Sequence, residues 1–360
     1  MNKIQSSRKY VFYFLFYFIL FVLFHVSIWN IYTSKIYGLQ KDYYAGDLAR
    51  IAYQFDFIYK RKLEYTLPKK HINKETYNNQ KIDMITIGDS FSNADTCGKN
   101  PYYQDFLATK YNKNILNIKL QGDFLNTIIG LKNSGILAKI QPKYILIETV
   151  EREIPHLYKP KLLPSFSPKI NHIKDILHSK VTTSPVPKLQ IINSINYKAP
   201  FYSFLSEISQ YKLHNAYIFP LQKEMFSSKI KNKLIVYKND INNFNQFTKK
   251  NISDINNKLN KVAFLLQELH IKLIFMPVVD KYNLYYKYII NPPYPRNPFF
   301  KILKSMDKKY IFINTEKILS QAIEQNVKDL YYPDDTHWSF KASDILTNSK
   351  IFQKILSQSN

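Results

Sequence analysis

Ile82-Asp83-Met84-Ile85-Thr86-Ile87-Gly88-Asp89-Ser90-Phe91-Ser92 is the stretch whose reading decides the fold. Its first six residues are mostly apolar and β-branched, which predicts a short, buried strand. Gly88 follows, and Ser90 then stands just past the strand's carboxyl end, where α/β sheets place their ligands. A second motif, Asp334-Asp335-Thr336-His337-Trp338, lies near the C-terminus and sets an acid two or three residues before a histidine. A serine hydroxyl is a poor nucleophile until a base takes its proton. A histidine can be that base, and a carboxylate can hold its tautomer. The two motifs contain the parts of such a triad, with either Asp334 or Asp335 as the acid.

Around the first motif the pattern alternates between the two periods of regular structure. Pro101 to Tyr111 predicts a helix, Ile115 to Leu120 a strand, Phe124 to Ile140 a helix and Tyr144 to Val150 a strand. Later, Asp254 to His270 predicts an amphipathic helix and Lys272 to Pro277 a strand. Tyr310 to Asn314 predicts another strand, and Glu316 to Gln325 a helix. Strands and helices alternating at these lengths imply βαβ units, hence an α/β fold with a mostly parallel sheet covered on both faces. Residues 158–251 break the rhythm with Pro160, Pro164, Pro168, Pro185, Pro187, Pro200 and Pro220. They are expected to form an inserted cap over the strand ends. Its Tyr197, Phe201, Tyr202 and Phe204 are read as core residues or as stacking platforms for sugars.

The segment Tyr10 to Tyr32 carries no charge and is long enough to cross a bilayer as a helix. Lys3, Arg8 and Lys9 precede it, which keeps the short N-terminus in the cytoplasm. No small-x-small cleavage site follows, so an uncleaved signal anchor is expected. The resulting plan is a cytoplasmic 1–9, a transmembrane helix over 10–33, a membrane-proximal helix and linker over 34–80, and a domain from 81 to 360. Helical spacing runs from Ala45 to Tyr65 within the linker. This plan predicts a single-pass protein of the inner membrane with its domain in the periplasm.

The 360 residues hold 51 Lys and Arg against 27 Asp and Glu, a net charge of +24. Such a balance suits an anionic partner such as a membrane surface or an acidic glycan. No nucleic-acid-binding signature is present, so no nucleic-acid partner is expected. The single cysteine, Cys97, excludes an intramolecular disulfide and is read as a buried thiol. No Cys/His cluster points to a metal.

With Gly88-Asp89-Ser90 at a strand end and Asp335-Thr336-His337-Trp338 near the C-terminus, residues from Lys81 to Asn360, the insertion aside, resemble the SGNH (GDSL-like) hydrolase and acyltransferase superfamily. More narrowly, they resemble the SGNH-like domains of alginate and peptidoglycan O-acetyltransferases. The resemblance implies a three-layer SGNH-like fold with Ser90 as nucleophile, His337 as base and Asp335 as acid. In the superfamily's Asp-x-x-His arrangement Asp334 takes the last role. It further implies an oxyanion hole from the backbone N–H groups of Ser90 and Gly122. The family's Gly-x-Asn-Asp block is replaced here by Glu148-Thr149-Val150-Glu151-Arg152, which makes Arg152 a candidate donor or substrate ligand, with a salt bridge as the other reading. Lys281 and Tyr282, which follow a strand, are further candidates for contact with substrate or are simply solvated, and Trp338 is another candidate. The implied activity is a membrane-anchored O-acyltransferase, most simply an O-acetyltransferase, that passes an acyl group from Ser90 to an extracytoplasmic glycan. No bound cofactor is expected; a polytopic membrane-bound O-acyltransferase or a small-molecule donor would supply the acyl group. A carbohydrate esterase using the same triad and a degenerate glycan-binding component are the alternatives.

Overall fold

The computed structural model describes residues 2–34, 45–59, 65–93, 98–179, 191–208 and 215–357; Cys97 lies outside them. Helix α1 (Asn2–Ile28) leads the chain and continues into a wider helical turn over Trp29–Thr33. Its apolar part, Ser7–Ile31, is 25 residues long, enough to cross a membrane. Side chains from Tyr10 to Phe24 are exposed around nearly the whole helix. A short helix α2 (Asp47–Ala52) follows, in place of the longer one expected to Tyr65. Tyr53 ends it with a left-handed φ of 53°.

The domain proper is an α/β fold around a five-stranded parallel sheet. Along the chain run β1 (Met84–Ile87), α3 (Tyr103–Tyr111), β2 (Ile115–Asn117), α4 (Phe124–Asn133) and β3 (Tyr144–Val150). Next come α5 (Ile195–Ile208), β4 (Ala216–Pro220), β5 (Lys233–Tyr237), α6 (Lys249–Gln267) and β6 (Lys272–Val278). Last are α7 (Lys281–Tyr285), β7 (Ile311–Phe312), α8 (Thr315–Glu324), α9 (Phe340–Thr347) and α10 (Lys350–Ser357). Every residue of β1 and β3 is buried, as strands covered on both faces require.

Sheet order is β2-β1-β3-β6-β7. The step from β1 to β2 runs one way across the sheet, and those from β2 to β3, β3 to β6 and β6 to β7 run the other. Right-handed crossovers therefore put α3 on one face and α4 and α6 on the opposite face. The packing agrees: α6 lies against α4 and β6, whereas α3 lies against α9, which lies against α8. The change of direction between β1 and β3 makes the topological switch point, and Ser90 follows β1 there.

The expected helix from 124 to 140 is broken. Ser134 closes α4, Gly135 turns with φ 73°, and a separate helix runs over Ile136–Ile140. The inserted region contains α5 and the antiparallel hairpin β4–β5, and Leu177 bridges to Ile118 beside β2.

Candidate active site

The turn that carries Ser90 is built from three constraints. Gly88 is in a place where a Cβ would lie 1.9 Å from Ser92 Oγ and 2.4 Å from Glu148 Oε2, so only glycine fits. Asp89 then ties the turn together: its Oδ1 accepts from Phe91 N at 3.1 Å and its Oδ2 from Val150 N, at the end of β3, at 2.7 Å. Ser92 donates to the buried Glu148 Oε2 at 2.7 Å, while Gln104 and Asn117 donate side-chain N–H bonds to Ser92 O. Burial and then the neighbouring Asp89 push the Glu148 carboxyl well above its ordinary range. Ser90 is left half-buried above this fixed base.

The second motif meets it there. Ser90 Oγ lies 2.9 Å from His337 Nε2, and His337 Nδ1 lies 2.7 Å from Asp335 Oδ1. With the ring proton on Nδ1, directed at Asp335, Nε2 is free to accept the serine proton. The same Asp335 oxygen accepts the backbone N–H of His337 at 3.1 Å, so one carboxylate fixes both ring and main chain. Phe91 packs on the imidazole with centroids 4.6 Å apart, and Trp338 packs edge-on to Phe91 at 5.1 Å. Burial opposes protonation of His337. The charge and hydrogen bond of Asp335 and the charge of Asp47 outweigh it and raise the imidazole above its usual range.

Asp334, the other acid of the motif, has a different task. Its Oδ2 accepts from Gly46 N at 3.0 Å and Tyr59 N at 3.2 Å, and its carbonyl accepts from Ala49 N at 3.0 Å. It pins the segment from Gly46 to Tyr59 onto the histidine loop. A Cβ on Gly46 would come within 2.2 Å of Asp334 O and 2.5 Å of its carbonyl carbon, backbone atoms that cannot move cheaply. Asp47 Oδ1 then accepts from Thr336 N at 2.7 Å, its Oδ2 accepts the Thr336 hydroxyl, and Oδ2 lies 3.9 Å from His337 Nδ1. Burial first, and then Asp335, raise the Asp47 carboxyl to about 6. The sequence reading had no part for Gly46 or Asp47. The available signal was a Gly-Asp pair at the head of a helical pattern, in a chain with only 7 glycines.

Ligand atoms of Asp47, Asp335 and His337 all lie within 4.8 Å of one another. Nδ1 faces Asp335 and Nε2 faces Ser90, however, which is the geometry of proton transfer.

Four residues expected to touch substrate have protein partners instead. Lys281 is 1% exposed, and its Nζ donates to the carbonyls of Tyr332, Pro333 and Asp335 at 2.8, 3.1 and 3.1 Å. Burial lowers it to about 8. It acts as a clamp under the histidine loop. Tyr282 is fully buried and donates to Tyr294 O at 2.8 Å. Trp338 is buried against Phe91 and Tyr103. Arg152 is buried and donates to Asp280 at 2.8 Å and Asp240 at 3.2 Å, so the salt-bridge reading holds. For Lys281, Tyr282 and Arg152 the reason is common: a polar side chain after a strand can turn inward where the fold supplies carbonyls or carboxylates. Gly122 stands in the loop between β2 and α4 with φ 98° and open space where a Cβ would be. Asp123 beside it caps α4 by accepting from Leu125 N and Asn126 N.

No protein-family profile matches the chain, and no curated protein matches it in sequence. Among solved structures, the chain is similar to an Axe2 mutant, described as an acetyl-xylooligosaccharide esterase from Geobacillus Stearmophilus. That match has 10% identity and a TM-score of 0.35, and it covers 76% of this chain and 94% of the other.

Proposed function

We propose that this chain is a membrane-held serine O-acyltransferase, most simply an O-acetyltransferase, working outside the cytoplasm on a glycan hydroxyl. The observation that carries this reading is the relay from Ser90 through His337 to Asp335, at 2.9 and 2.7 Å. In the first half-reaction Ser90 Oγ attacks the acyl carbonyl and its proton passes to His337 Nε2. The donor's leaving group departs with that proton, and the acyl group stays on Ser90 as an ester. In the second, an acceptor hydroxyl gives its proton to Nε2 and attacks the ester. Ser90 leaves and recovers the proton. Asp335 stays ionised throughout and stabilises the imidazolium. Backbone N–H groups of Ser90 and Gly122 are the proposed donors to the oxyanion. The glycan acceptor and a polytopic membrane partner supplying the acyl group follow from the resemblance of the two motifs. Helix α1 supports the placement, since it would hold the domain beside such a partner.

The same relay with water as acceptor makes an esterase, so the test must count both products. Full-length protein in detergent would be given a chromogenic acetyl ester, with and without a soluble oligosaccharide. Acetylated oligosaccharide that is lost in Ser90→Ala supports the transferase. Acetate alone, with acceptor in excess, replaces it with the esterase. Turnover that survives Ser90→Ala, against an expected fall of roughly 10⁴-fold or more, removes both.

A further inference from the structure

Helix α5 presents an apolar stripe that, among the described residues, only the end of α1 meets, at Tyr197. Tyr197, Phe201, Phe204 and Ile208 are 48, 57, 59 and 61% exposed. Their spacing of four, three and four puts them on one side of the helix. Ile191 and Ile192, just ahead of it, are exposed as well. The other side faces inward: Ala199 is fully buried, and Tyr202 stacks on Tyr53 with centroids 5.1 Å apart.

What lies against this stripe follows from where α5 begins. Asn196, at its first turn, is fully buried against the end of α1. Its Nδ2 lies 2.8 Å from His25 Nδ1, and its Oδ1 accepts from Thr33 Oγ1 at 2.6 Å. His25 Nε2 is 2.8 Å from Tyr197 OH, and Phe24 stacks on the Tyr197 ring at 5.7 Å. His25 sits six residues before the end of the Ser7–Ile31 apolar stretch, which is about 9 Å along a helix. The start of α5 is therefore fixed at the depth of the last turns of α1. If α1 crosses the bilayer, that depth is the boundary between acyl chains and headgroups. A one-sided apolar helix rich in Tyr and Phe, with Lys198 at its edge, has the composition that settles in that layer.

We propose that α5 lies in the outer interface of the bilayer that α1 crosses, with Tyr197, Phe201, Phe204 and Ile208 against lipid. The domain is then held at two points rather than swinging on one helix. This rests on the reading of α1 as a membrane span.

The test uses the full chain, with Cys97→Ser as background, in liposomes containing no other protein. Single cysteines carry a nitroxide, and the measurement compares collisions with oxygen, which partitions into lipid, and with a water-soluble nickel complex. Phe14→Cys, in the middle of α1, reports on the span. Phe264→Cys, 64% exposed near the end of α6 that leads into the amino edge of the sheet, is the aqueous control. Phe204→Cys and, independently, Phe201→Cys are expected to favour oxygen several-fold over the Phe264→Cys label. If both match the Phe264→Cys label while Phe14→Cys stays in lipid, the interfacial placement is overturned and the span survives. If Phe14→Cys is itself aqueous, the span falls and the placement falls with it.

Discussion

Asp47→Asn should make the site work at lower pH. Asp47 Oδ2 lies 3.9 Å from His337 Nδ1 and is one of the charges that raise the imidazole. Two unit charges at that distance interact by about 1 kcal/mol in a water-like medium and about 4 kcal/mol at the effective dielectric of a protein surface. The Asp47 side chain is 25% exposed, which argues for the lower part of that range. At about 1.4 kcal/mol per unit, the expected fall in the His337 pKa is about one unit.

The sign follows from the role proposed for His337. It accepts the serine proton only when neutral, so activity is lost as pH falls through its pKa. Removing the Asp47 charge destabilises the imidazolium and moves that loss to lower pH. Because Asp47 itself titrates near 6, its effect fades below that value, and the wild-type acid limb belongs to the coupled pair. Asparagine keeps one oxygen that can accept from Thr336. The high-pH plateau of kcat/KM should therefore fall only a few-fold. The assay is kcat/KM for an acetyl ester across pH, with the imidazole nitrogens followed by NMR. A lower plateau with an unmoved midpoint would show that Asp47 only props up the Thr336 loop. The electrostatic reasoning would then be refuted.

The two acids of the loop should separate cleanly. Asp335→Ala removes the partner of His337 Nδ1 and should cost on the order of 10³- to 10⁴-fold in kcat. Asp334→Ala instead strands the buried N–H groups of Gly46 and Tyr59, for about 1–3 kcal/mol each, and should appear chiefly as a lower melting temperature. Equal losses of kcat in both would leave the assignment without support. Lys281 titrates near 8 in the fold against about 10.4 unfolded. The unfolded chain then binds more protons between those values, so stability should rise with pH across that window by up to about 3 kcal/mol. Lys281→Met should abolish that rise while lowering stability overall, because the carbonyls of Tyr332, Pro333 and Asp335 lose their donor; melting curves from pH 7.5 to 10 check it. Gly46→Ala should undock α2 from the loop and lower both kcat and melting temperature, whereas an unchanged enzyme would mean the close approach to Asp334 is not needed.

The sheet was legible where burial is continuous. Tyr144–Val150 is a strand with the bounds its apolar run predicts, and Met84–Ile87 lies within its own. The β4–β5 hairpin was not, since no short turn joins its strands: residues 221–232 separate them. The juxtaposition of Ser90, Asp335 and His337 was legible because each half is a local motif with its own turn chemistry. Lys281 was expected in the cleft and lies beneath the histidine loop, and Arg152 was left between substrate and salt bridge, because sequence shows charge and not what surrounds it. Asp47 was out of reach for another reason. It meets Thr336 across 289 residues, and no local pattern encodes a contact at that separation.

That long-range contact changes how the N-terminal segment is understood. A tether needs only length, yet the described residues on either side of 35–44, from α1 to Thr33 and from Gly46 to Tyr59, are fastened at several points. His25 and Thr33 hold Asn196 of α5, Tyr202 of α5 stacks on Tyr53, and Gly46, Ala49 and Tyr59 bond to Asp334 beside the triad. Ala45 and Ala49 pack with Ile58 and Ile195, so α2 is wedged between α5 and the histidine loop. A displacement of α1 relative to the domain must therefore break the buried polar contacts to Asn196, loosen the apolar packing of α5 on α2, or shift α2. Shifting α2 moves Asp47, and with it the field at His337. The segment from Gly46 to Tyr59 is in this sense a wall of the site: the residues that join α1 to α5, proposed above to set the depth of the domain at a bilayer, reach through three short packed contacts the carboxylate that lies beside His337.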